Sequence, residues 1–102
     1  MKAGVDAALR TAHLTRIDSY MDIAILAMWI SSPRVDVMLG MVEASLRGES
    51  PGGRDEDLLE RIRALVGEGR EYLAGGDFFV AMGRMRTAHD LLSLRIIRLS
   101  DE

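Results

Sequence analysis

The stretch GGDFFVAMGRMRTAHDLL, residues 75–92, decides the architecture. Gly75-Gly76 ends a helix, because glycine closes a helix C-terminus without a Cβ penalty. Asp77 follows where a short carboxylate accepts the first unpaired amide hydrogens of a new helix. In that new helix, Phe78, Ala81, Met82, Met85, Ala88, Leu92, Ile96 and Leu99 recur at three- and four-residue steps. At 100° per residue they form one broad apolar face. So tight a turn sends the chain back antiparallel, and residues 77–99 make a hairpin with the helix before them.

Upstream, the pattern stays helical. Leu58, Leu59, Ile62, Leu65, Val66, Tyr72 and Leu73 mark a helix over 55–74, with Asp55, Glu56 and Asp57 as a solvated acidic start. Gly67 and Gly69 interrupt it, either weakening it or admitting a close neighbour. Gly48 to Arg54, GESPGGR, is the clear loop. The first helix spans 3–30 and is apolar all round from Ile23 to Ile30, which implies burial on several sides. At Ser31-Ser32-Pro33 the chain breaks. Ser32 caps and Pro33 opens a second helix over 33–47, with one long kinked helix as the competing reading. Sustained period-two alternation is missing. The fold class is all-α, an up-and-down bundle of three to four helices in a single domain over 1–102.

Composition narrows the function. The chain has 102 residues, 48% of them apolar, enough for one modest core. With no cysteine, disulfides and thiolate chemistry are excluded. The net charge of −3 provides no basic field for nucleic acid. The longest apolar run, residues 23–30, is too short for a bilayer, which takes ~20 residues. No signal-peptide core opens the chain, so a cytoplasmic location without membrane contact is expected. The histidines, His13 and His89, fall on different helices and neither has a local His-x-x-x-Asp or Glu-x-x-His partner. No metal and no cofactor are expected. GGRDED and GEGRE lack the lysine of a phosphate loop.

One feature invites an enzymatic reading. Arg84 and His89 lie on a late helix with four residues between them, a spacing that resembles the HEPN ribonucleases. That resemblance implies a metal-independent RNA cleavage across a dimer interface, with Arg84 stabilising phosphate charge and His89 assisting proton transfer. Helical geometry opposes it, since His89 falls near the middle of the apolar face and Arg84 lies roughly 140° away. The plainer expectation is an imidazole packed between helices and hydrogen-bonded to a carbonyl, to Tyr72 or to an acid. Arg84, Arg95 and Arg98 could likewise touch phosphates, as in a nucleic-acid-binding accessory protein, but a solvated face is the expectation.

Residues 55–99 resemble a family of short archaeal proteins, the domain of unknown function 357. The resemblance rests on Tyr72, Gly76-Asp77, Phe78, Ala81 and the pair Ala88-His89, which match its pattern without gaps. It implies an archaeal, cytoplasmic helical bundle, and it implies no activity. After the Ala-His pair, Asp90, Leu91 and Ser93 replace the glycine, aromatic and aspartate usual there.

An apolar surplus remains. The last helix carries a second set, Phe79, Val80, Leu91, Leu94 and Ile97, and the first helix is apolar on all sides near its end. One small bundle cannot easily bury both, so a homodimer, or docking of another protein, is expected. Its interface candidates are Ile25, Trp29, Phe79, Leu91, Leu94 and Ile97. The leading expectation is therefore a non-enzymatic, self-associating helical interaction module.

Overall fold

The computed structural model describes residues 2–101. Four helices follow one another: α1 (Lys2–Trp29), α2 (Val35–Arg47), α3 (Glu56–Ala74) and α4 (Phe78–Ser100), with a short 3-10 turn at Pro51–Gly53. No strand occurs among the described residues. The protein is an all-α helical bundle. Each helix lies within two residues of the span expected from the apolar periodicity.

The turns show why. Gly76 takes φ +86°, a conformation that glycine adopts without strain. Asp77 accepts a hydrogen bond from the Val80 amide at 3.2 Å, capping α4. Between α1 and α2 the chain reverses at Ser31, whose φ is +53°. The two are separate helices packed on each other, not one kinked rod. Ser32 does not cap α2. Its hydroxyl accepts from the Arg34 amide at 3.1 Å, and α2 starts only at Val35. Pro33 thus belongs to the reversal, since a tight turn needs its own amides satisfied before a helix can begin.

α1 packs on α2 and α4, and α4 packs on α1 and α3. The spatial order is α2–α1–α4–α3, with only slight packing between α2 and α3. Polar links bridge that seam. Arg70 of α3 reaches Glu43 of α2 at 3.0 Å, and Arg63 donates to the Leu46 carbonyl at 2.8 Å. Leu14, Ile17 and Met21 of α1 meet Leu39 and Val42 of α2, Leu59 and Ile62 of α3, and Met85 and Leu92 of α4 in one core. Methionines and leucines fill it in place of aromatics, as the composition requires. At Gly69 a Cβ would stand 3.3 Å from the Ala81 carbonyl and the Met85 side chain, so this glycine admits α4 closely. Gly67 faces open space.

The molecule extends 48 × 20 × 19 Å, its long axis set by the 28 residues of α1. Among the described residues, no helix is long and apolar enough to cross a membrane.

The acidic start of α3 departs from expectation. Asp55 is buried, with backbone φ +66°, and receives two hydrogen bonds from Arg10, Nε at 2.9 Å and Nη2 at 2.7 Å. Arg95 adds a third at 2.7 Å. The Arg10 hydrogen bonds, then that of Arg95, hold the Asp55 carboxyl below its ordinary value despite its burial. This ion cluster ties α1, α4 and the loop before α3 together. Neither Asp55 nor Arg95 belongs to a solvated face. A one-dimensional pattern shows that charges exist, not which of them converge.

Candidate functional site

α1 presents Asp18 and Asp22 one turn apart on one face. That face meets α4 at His89. The His89 Nε2 lies 2.6 Å from Asp22 Oδ1 and 3.2 Å from Asp18 Oδ1, and Nδ1 lies 3.9 Å from Asp90 Oδ1. His89 and Asp18 are half-buried, whereas the Asp22 carboxylate is 62% exposed. Asp18 Oδ1 is buried and has no hydrogen-bond partner. Burial, first, and the neighbouring Asp22 charge push the Asp18 carboxyl above its ordinary value, while His89 pulls the other way. Donor atoms of Asp18, Asp22 and His89 all lie within 4.8 Å of one another. The imidazole thus bridges α1 and α4 through acids.

Arg84 takes no part in this. Its Nε donates to Glu68 at 3.1 Å, and its guanidinium lies 5.5 Å from the centre of the Tyr72 ring, both on α3. His89 faces α1 and Arg84 faces α3, so within one protomer the two do not converge. Arg95 is held by Asp55 and lies 3.6 Å from Asp57. His13, the other histidine, is half-buried on α1, and its Nε2 has no hydrogen-bond partner.

The acids around His89 escape a scan for local ligand motifs, because they come from a distant helix. A signal did exist. Asp18-Ser-Tyr-Met-Asp22 places two carboxylates one turn apart beside a segment that is otherwise apolar, where a lone charge is costly.

A second feature is apolar. Ile23, Leu26, Trp29 and Ile30 stand exposed along the last turns of α1 and just past its end. Trp29 meets Phe78 edge-to-face at 5.7 Å, and Phe78 meets Phe79 at 5.9 Å. Phe79 itself is 83% exposed and Trp29 56%. Aromatic contacts thereby join the end of α1 to the start of α4 in one patch. Leu94 and Ile97 are exposed nearer the other end of α4. Ile25 and Leu91 are half-buried and pack against the core.

Compared with family models, curated proteins and solved structures, the chain matches none.

Proposed function

We propose that the protein is a non-enzymatic helical module that self-associates, with the patch of Ile23, Leu26, Trp29, Ile30 and Phe79 as its contact between two copies. The observation that carries this reading is the continuity of exposed apolar side chains across two helices. Isolated exposed leucines are ordinary, but a joined cluster with two aromatics marks an interaction surface. Each such side chain offers on the order of 100–200 Å². Five supply roughly 500–1,000 Å², comparable to the ~800 Å² that one partner contributes to a standard interface. A second copy brings the same patch, and a two-fold contact is self-complementary. Trp29 and Phe79 are of the residue types that anchor interfaces.

Light scattering tests it. Wild type at about 100 μM, far above the micromolar Kd expected of a modest interface, should run at twice the 11.3 kDa chain mass. Leu26→Glu and Phe79→Glu, both at exposed positions, should each run at the single-chain mass with unchanged helicity. A wild type that stays at 11.3 kDa refutes the reading.

A further inference from the structure

We infer that Asp18, Asp22 and His89 form a binding site for one divalent transition-metal ion of the zinc class. Nε2 of an imidazole carries at most one hydrogen. Two carboxylates converge on it, at 2.6 and 3.2 Å, and the buried Asp18 Oδ1 is left without a hydrogen-bond partner. One hydrogen leaves at least one of these acids poorly served, as the unpartnered Asp18 Oδ1 is, whereas one cation serves all three groups at once.

Dimensions agree. Zinc sits about 2.0–2.2 Å from nitrogen and carboxylate oxygen, which sets donors roughly 3.0–3.5 Å apart. The Asp18–His89 separation already falls in that range, and all three donors lie within 4.8 Å. Asp22, being exposed, can swing its carboxylate outward by the few tenths of an ångström required. Imidazole with two carboxylates and no thiolate suits zinc or manganese better than the softer copper(I). The exposed side of Asp22 leaves room for water to complete the coordination. Ligation through Nε2 would leave Nδ1–H on the side of Asp90, a common arrangement in which an outer acid orients the ring. The ligands stand on two packed helices, so the site is largely pre-formed.

The site lies within one protomer and stands independently of self-association. Calorimetric titration of the chelator-treated, untagged protein with zinc tests it, with manganese and magnesium in parallel. Zinc should bind at one equivalent, and magnesium at least tenfold more weakly. His89→Gln and Asp22→Asn should each weaken zinc at least tenfold. Asp22→Asn is isosteric and exposed, so it keeps the fold and decides the matter alone if His89→Gln does not. A wild type that takes up no zinc, or variants that bind it unchanged, for instance through His13, would overturn the assignment.

Discussion

Replacing Asp55 by asparagine keeps the size of the side chain but removes its charge and turns one of its two acceptor oxygens into an NH2 donor. Asparagine also tolerates the left-handed backbone at this position, φ +66°, better than alanine would. The change strips Arg10, whose side chain is 8% exposed, of a bidentate partner that is itself 1% exposed. Breaking a buried pair by removing one member costs about 3–5 kcal/mol, because the remaining charge stays desolvated. Asp6, 3.9 Å from Arg10 and half-exposed, supplies partial relief, which argues for the lower end. The expected loss is about 3 kcal/mol out of a total of roughly 5–15. At ~2.1 cal/mol/K per residue, 102 residues unfold with about 0.2 kcal/mol/K, so Tm should fall by about 15 °C. Arg95→Met leaves Asp55 paired with Arg10 and should cost only about 1 kcal/mol. Thermal denaturation followed by circular dichroism measures both. An Asp55→Asn protein melting within about 3 °C of wild type would refute the idea that this cluster fastens α1 and α4 to the loop.

The same carboxyl makes a pH prediction. Its folded value lies below the ordinary 3.8, so the unfolded chain takes up the proton first as pH falls. The Asp55 contribution is whole above that ordinary value and fades as pH drops through the folded one. The stability gap between wild type and Asp55→Asn should therefore hold steady from pH 7 to about 5 and shrink below about 4, as urea titrations across that range will read. A gap that widens in acid contradicts the sign. Asp77→Ala removes the α4 cap and should cost about 1 kcal/mol, measured as a lower urea midpoint with an unchanged slope. Leu59→Ala empties a fully buried site and should cost about 2–5 kcal/mol; a loss under 1 would mean that the core collapses around the gap.

The sequence carried the helices because punctuation and period agreed. Gly75-Gly76-Asp77 stops one helix and caps the next by local chemistry alone, and the steps from Phe78 to Leu99 need no partner to be read. What required coordinates was every choice between distant charges. Asp55, Glu56 and Asp57 look alike in a row, yet only Asp55 turns inward to Arg10 and Arg95. Arg84 and His89 look like a pair at short spacing, yet five residues of helix point them at different neighbours. Asp18 and Asp22 gain meaning only when α4 lays His89 across them. Exposure was half legible. The apolar surplus could be counted, but not that Ile25 and Leu91 turn inward while Trp29 and Phe79 turn out.

Trp29 is the sole tryptophan and sits within the patch assigned to self-association. Its fluorescence, recorded over a dilution series with the molar mass from light scattering at each point, reports directly on whether two copies cover that surface. Emission should lie at shorter wavelength when concentrated and shift to longer wavelength on dilution, in step with a halving of mass. A water-exposed spectrum at every concentration, with a constant mass of 11.3 kDa, would contradict the account.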